Sequence, residues 1–74
     1  MSDAQLAREM RDYSAWVAGG GTVAAFRNRE GLSDDAFENH RREAIRRGLF
    51  EGLGVRGRPG GRLTPLGESV LEED

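Results

Sequence analysis

Asparagine and arginine side chains recur at helical spacing in the middle of the chain, at Asn39, Arg42 and Arg46. Residues three or four apart lie on one side of a helix, so these side chains would share a face. An asparagine amide pairs with adenine through two hydrogen bonds, and a guanidinium pairs in the same way with guanine. Arg46 is better suited to hold a phosphate, which fixes register without reading sequence. This face therefore has the chemistry of a nucleic-acid contact.

The same segment also allows a purely structural interpretation. Glu38 precedes Arg42 by four residues and Glu43 precedes Arg47 by four, the order in which such pairs support an isolated helix. A solvated, salt-bridged face would account for these side chains without any ligand. Asp34 and Asp35 lie at the start of this segment, where carboxylates interact favourably with the helix dipole. In a DNA complex the same carboxylates would face phosphates. Both interpretations stay open from the sequence.

A second arginine cluster lies further along the chain, at Arg56, Arg58 and Arg62, in a stretch rich in glycine with one proline. Glycine and proline together are typical of a turn. Arginines at the tip of a hairpin can contact the DNA backbone or enter a narrow minor groove. The structural alternative is that glycine and proline form the turn while arginine keeps it hydrated.

The composition argues against an enzyme. The 74 residues include no cysteine and one histidine, which excludes disulfides, thiolate metal sites and cysteine nucleophiles. No paired carboxylates form a recognisable catalytic motif, and a chain of this length leaves little volume for a pocket. We therefore expect no catalytic residues, no metal and no cofactor. No apolar run reaches membrane-spanning length, so we expect a cytoplasmic protein that does not bind membranes.

Charge is unevenly distributed along the chain, although the formal net charge is only −2. Residues 39–65 contain seven arginines and two glutamates, whereas residues 66–74 contain four acidic residues and no basic one. A basic patch is the electrostatic footprint expected of a DNA-binding protein. The acidic end would be repelled by phosphates and should point away from them.

The flanking sequence predicts the elements that would position these residues. Residues 1–19 form a first helix, opened by a capping box at Ser2 and ended by three glycines. Residues 22–48 form two helices around a turn at Gly31, with Thr22 and Ser33 as N-caps.

The third helix should direct Phe37, Ala44 and Ile45 inward. Arg41 lies near that inner face, so we expect its stem to pack and its guanidinium to reach solvent or Glu30. His40 is expected at the edge of the core rather than as a ligand.

The rest of the chain predicts a short hairpin and a last helix. Residues 49–64 give two short strands around the glycine-rich turn, and residues 65–74 give a helix with an acidic tail. Thr64 would cap this helix, and Pro65 is suited to its first position. The predicted fold class is therefore α+β and mainly helical.

Three segments resemble the winged-helix transcription regulators, especially the MarR-like group: FRNREGLS, RRGLF and RLTPLGESVL, within residues 22–71. The resemblance implies one winged helix-turn-helix domain over residues 1–74, with three helices, a short two-stranded wing and a short C-terminal helix. It also implies a small DNA-binding transcriptional regulator. The third helix, residues 33–47, would then read the major groove, and the arginine-rich wing would contact the backbone or minor groove.

The resemblance also predicts binding partners, and one alternative function stays open. Double-stranded DNA is the expected partner, and a homodimer could form through Trp16 or through the C-terminal helix. The alternative is a protein-protein interaction module that keeps the winged-helix fold without binding DNA. An adaptor, or a phage- or plasmid-type protein that docks on a host complex, would fit the acidic C-terminal end.

Overall fold

The computed structural model describes residues 1–53 and 58–73, which form four helices and a two-stranded antiparallel sheet. This confirms the predicted fold class, α+β and mainly helical. In the described residues no helix combines the length and apolar character needed to cross a membrane. The elements in chain order are α1 (Asp3–Ala18), α2 (Val23–Glu30), α3 (Asp34–Arg46), β1 (Phe50–Gly52), β2 (Gly61–Leu63) and α4 (Pro65–Glu73).

Hydroxyl side chains cap the first three helices, as the sequence predicts. Ser2, Thr22 and Ser33 each accept a hydrogen bond from the backbone N–H three residues later. Such a cap satisfies a helix-terminal donor and stabilises the helix by about 1 kcal/mol. Gly31 ends α2 in the left-handed conformation at φ 68°, which glycine adopts without strain. These local contacts fix where α3 begins.

Four aromatic rings form the centre of the core and join four elements. Tyr13 of α1 lies 5.0 Å from Phe37 of α3 and 5.7 Å from Phe26 of α2, between ring centroids. Phe50 of β1 lies 6.2 Å from Tyr13. Tilted and edge-on ring pairs at these distances add to the free energy of burial. The rings therefore hold α3 and the hairpin against α1.

One prediction about the core is wrong. Phe37 and Ala44 are buried as expected, but Ile45 is 41% exposed. Phe37 and Ala44 are seven residues apart and nearly eclipse one another on a helix, whereas Ile45 is rotated by about 100° from Ala44. Leu66, which begins the next helix and could cover this region, is itself 52% exposed. Two neighbouring elements thus leave large apolar side chains in solvent.

The predicted hairpin is present as an antiparallel pair. Phe50 is opposite Leu63, and Glu51 is opposite Arg62. The return strand, Gly61–Leu63, lies within the predicted range of residues 49–64. Side chains alternate across a strand, so the inward Phe50 and Leu63 share the core face while the charged pair faces solvent.

The base of the hairpin is fastened to the start of α4. The Thr64 N–H donates to the Leu49 carbonyl at 3.0 Å, and the Thr64 hydroxyl donates to the Gly48 carbonyl. The same hydroxyl accepts from the Gly67 N–H, which confirms Thr64 as a cap. A Cβ on Gly67 would lie only 2.2 Å from the Leu49 carbonyl oxygen. Two of the sequence segments that carry the resemblance therefore meet in space.

Candidate nucleic-acid interface

The outer face of α3 presents the three side chains singled out from the sequence. Asn39 is exposed, and the side chains of Arg42 and Arg46 are each 73% exposed. Residues four apart are separated by about 6 Å along a helix and lie on one side of it. The expected outward face is therefore present, with its amide and guanidinium groups accessible to a ligand.

Glu38 holds two arginines of this helix. Its carboxylate accepts from the Arg41 guanidinium at 2.7 Å and lies 3.5 Å from Nε of Arg42. Arg41 thus pairs with Glu38 on its own helix, and its side chain stays 30% exposed. Of the two expected destinations, solvent or Glu30, the pairing with Glu30 is replaced by this nearer carboxylate. The hydrogen bond from Arg41 lowers the pKa of Glu38 and raises that of Arg41.

Glu43 repeats this arrangement one and a half turns later. Its carboxylate accepts from Arg46 through Nε at 2.7 Å and through Nη2, and from Nε of Arg47 at 3.3 Å. Hydrogen bonds from Arg46, the main cause, and from Arg47 lower the pKa of Glu43. Arg47 also contacts Asp3 at 2.9 Å, which joins this end of α3 to α1. The predicted i to i+4 pairs are thus both present.

The amino end of α3 is acidic. Asp34 is 84% exposed and lies 3.9 Å from Nη1 of Arg27 in α2, a distance too long for a close ion pair. Within the described part of the chain, the buried Nε of Arg27 has no hydrogen-bond acceptor. Carboxylates at this position interact favourably with the helix dipole, but they would repel phosphates that approach the same end of the helix.

The hairpin carries two of the three predicted arginines in the described part of the chain. Arg62 pairs across the strands with Glu51 at 3.1 Å. Arg58 is exposed, and no described residue forms an ion pair with it. The prediction for Arg56 lies outside the described residues.

Helix α1 anchors the hairpin through hydrogen bonds that the sequence pattern did not indicate. The Gly60 N–H donates to the buried Tyr13 hydroxyl at 2.7 Å, and the Ser14 hydroxyl donates to the Gly61 carbonyl. These partners are 47 residues apart in the chain, so no local spacing reveals them. The contacts place Arg58 on the same side of the molecule as α3.

A cleft of about 500 Å³ separates α3 from the hairpin, so the expectation of little pocket volume is wrong at this place. Its walls include Tyr13, Glu38, Arg41 and Arg58. Its lining includes no histidine or serine among the described residues. The cleft therefore joins the two arginine-bearing elements.

His40 bridges α3 to α1, which agrees with its expected place at the edge of the core. Its Nδ1 lies 2.9 and 3.1 Å from the two carboxylate oxygens of Glu9. Burial raises the pKa of Glu9, the attraction of His40 lowers it, and repulsion by Glu30 raises it further, with a net upward shift. The arrangement of His40 and Glu9 gives no metal site: in the described residues, no three acidic or histidine side chains cluster to hold an ion.

Trp16 makes its contacts within the chain. Its indole N–H donates to the Thr22 carbonyl at 2.9 Å, and the guanidinium of Arg29 lies 5.4 Å from the ring centroid. A Cβ on Gly21 would overlap the indole, so the ring lies directly on that residue. Trp16 thus joins α1 to α2. A dimer through Trp16 stays a prediction.

Comparison with known proteins gives no relative for this chain. No protein-family model matches it, and no match is found among curated proteins or among solved structures.

Proposed function

We propose that this protein binds double-stranded DNA as a winged helix-turn-helix domain and acts as a small transcriptional regulator. The observation that carries the proposal is the exposure of Asn39, Arg42 and Arg46 on one face of α3, beside a hairpin with Arg58 and Arg62. In this mode α3 lies in the major groove and the hairpin contacts the adjacent backbone or minor groove. The helix order and the hairpin before α4 support this assignment.

The distribution of charge supports the same orientation. Six of the seven arginines of residues 39–65 fall in the described part of the chain, and they lie in α3, in the turn that follows it and in the hairpin. The acidic residues Glu68, Glu72 and Glu73 lie on α4, beyond the hairpin. Phosphates attract the first surface and repel the second, which selects one orientation of the protein on DNA.

A titration with DNA tests the proposal directly. We expect binding of a random-sequence duplex to weaken steeply between about 50 and 200 mM salt, since phosphate contacts release counterions. Chemical-shift changes in the NMR spectrum should concentrate on α3 and the hairpin. A flat salt response, or shifts confined to α1 and α4, would contradict DNA binding by this surface.

Exposed apolar side chains favour a second candidate, a protein-interaction module that does not bind DNA. Ile45 and Leu66 are large and exposed, and they belong to the end of α3 and the start of α4. Aliphatic side chains of this kind commonly anchor protein contacts when they cluster. Capture of one stoichiometric protein partner, abolished by Leu66→Ser and accompanied by no retention on DNA, would favour this function over the first.

A further inference from the structure

The pattern Glu-x-x-Arg-Arg occurs twice in direct succession at the centre of the proposed interface, as residues 38–42 and 43–47. In each copy one carboxylate contacts both arginines, at i+3 and at i+4. The two copies thus form matching forks, in which a single negative charge lies between two guanidinium groups.

Helix geometry gives the two arginines of each fork different surroundings. Five residues turn a helix by about 140° beyond a full turn, so the order of inner and outer arginine reverses between the copies. Arg41 and Arg47 are the inner ones, with side chains 30% and 29% exposed. Arg42 and Arg46 are the outer ones, one turn apart on the same face. Glu38 can release Arg42, at 3.5 Å, and keep Arg41, at 2.7 Å. Glu43 would release its closer partner, Arg46, and keep Arg47, at 3.3 Å.

We propose that Glu38 and Glu43 determine selectivity at this interface, as internal counter-ions that a nucleic acid must displace from Arg42 and Arg46. The inference rests on the proposed function, because it assigns these carboxylates a role in DNA binding. The inference predicts that Glu38 and Glu43 weaken arginine contacts to DNA phosphates more than arginine contacts to base edges.

The physical reason is the difference in charge between the two kinds of acceptor. A phosphate that takes an outer arginine comes close to the carboxylate left behind, and the two negative charges repel. Guanine, the acceptor expected for Arg42, takes the same two hydrogen bonds at O6 and N7 without a net charge, whereas Arg46, better suited to a phosphate, meets this repulsion on every duplex. An exposed ion pair contributes only 0 to about 1 kcal/mol, so an outer arginine is readily exchanged for a good acceptor. The carboxylates of Glu38 and Glu43 therefore lower the affinity for non-specific DNA, which is bound through its phosphates.

Neighbouring charges support this role. Hydrogen bonds from Arg41 and from Arg46 hold the pKa values of Glu38 and Glu43 below their ordinary range, so both carboxylates are ionised near neutral pH. The inner arginines are less exposed than the outer ones, and Arg47 also pairs with Asp3. They are therefore less available than the outer arginines to a ligand.

The test compares two double variants with the same change in net charge. Glu38→Gln with Glu43→Gln removes the two internal counter-ions, and Glu68→Gln with Glu72→Gln removes two exposed carboxylates of α4. Glutamine and glutamate have similar helix propensities, and circular dichroism checks that both variants fold. Fluorescence anisotropy then measures binding of a random-sequence duplex and of a duplex selected from a random pool, over a range of salt concentrations.

We expect the α3 variant to bind the random duplex about ten-fold more tightly than the wild type at low salt, with a salt dependence steeper by about one phosphate contact. Affinity for the selected duplex should rise less, so the ratio of specific to non-specific affinity falls. The α4 variant should change neither quantity by more than about two-fold.

Each other outcome overturns a defined part of the argument. An equal gain in the α4 variant would assign the effect to net charge and overturn the inference. Duplex binding by the wild type with no gain in the α3 variant would remove the inference and leave the proposed function standing. Binding of neither duplex by either protein would remove both. Binding by the α3 variant alone would support the inhibitory carboxylates and contradict DNA binding as the native function.

Discussion

At the scale of single residues, what an arginine offers to a ligand depends on the carboxylate beside it. Arg42 and Arg46 have the exposure required for a base or phosphate contact, yet each already contacts a glutamate of its own helix. Arg58 has no ion-pair partner among the described residues. The sequence predicted that Asn39, Arg42 and Arg46 face outward, and it predicted the pairs of Glu38 and Glu43 at i+4. It did not predict their closer pairs at i+3. The predicted features are local consequences of helical spacing.

Arg42→Ala and Arg58→Ala should therefore have different effects on DNA binding. Removing a base contact costs about 1–3 kcal/mol at the cognate position, so Arg42→Ala should lower affinity for a selected duplex and relax its sequence preference. Removing a backbone contact should weaken all duplexes equally and reduce the salt slope by about one. Binding to a set of single-base variants at several salt concentrations separates the two. Identical profiles for the two variants would contradict the assigned roles.

The pair between Glu9 and His40 predicts a pH dependence of stability. Burial raises the folded-state pKa of Glu9 above its unfolded value, so the folded state binds the proton more tightly. The stability that protonated Glu9 contributes is fully present below the pKa of Glu9 in the unfolded state. It is lost as pH rises through the pKa of Glu9 in the folded state. Glu9→Gln does not titrate. Its free energy of unfolding relative to the wild type should therefore rise with pH over this window.

Urea denaturation of both proteins between about pH 4 and pH 7 measures this difference. Glu68→Gln, on the exposed side of α4, serves as a control for the loss of one negative charge. The free energy of unfolding of Glu9→Gln relative to the wild type could instead stay constant or fall with pH. Attraction by His40 would then match or outweigh the cost of burying the Glu9 carboxylate.

At the scale of helices and strands, predictions that depend on residues nearby in the sequence were confirmed. Predictions that depend on contacts with other elements were less often correct. The caps at Ser2, Thr22 and Ser33 depend on residues three positions away. Ile45 was misplaced because its exposure depends on whether another element covers the end of α3. The partner of Arg41 is Glu38 rather than Glu30, because a carboxylate on its own helix competes with one on another helix. Local rules fix where elements begin, and packing decides what covers them.

The contact between α4 and Leu49, the residue before β1, predicts the effect of one substitution on stability. In a helix, alanine is normally favoured over glycine by about 1 kcal/mol. At Gly67 the added Cβ would lie 2.2 Å from the Leu49 carbonyl oxygen, so we expect Gly67→Ala to destabilise the protein by about 1–3 kcal/mol. Ser69→Ala, on the exposed side of the same helix, should change stability by less than about 0.5 kcal/mol. Thermal and urea denaturation measure both. Increased stability of Gly67→Ala would contradict the close approach.

At the scale of the whole molecule, the position of the hairpin relative to α3 depends on contacts that no sequence motif announces. Tyr13 and Ser14 of α1 hold Gly60 and Gly61 across 47 residues of chain. The order of elements was predictable from turn residues and hydrophobic periodicity. The cleft between α3 and the hairpin was not, because it results from the combined packing of α1, α2, α3 and the hairpin.

Molecular size limits how much DNA one copy can cover. The longest dimension of the Cα trace is 29 Å, and its radius of gyration of 11.4 Å is close to the value of about 11 Å expected for a compact chain of this length. Successive half-sites on one side of DNA lie about 34 Å apart. One copy therefore spans less than one helical repeat, and a two-fold symmetric operator would require two copies.

The fastening of Thr64 to Gly48 and Leu49 also separates the length of the hairpin from the rest of the architecture. Because the two ends of the hairpin are joined at its base, the hairpin can change in length without displacing α4. Doubling the length of a loop costs only about 0.6 kcal/mol in closure entropy. This scaffold is thus suited to carrying hairpins of different length and sequence on an unchanged four-helix body.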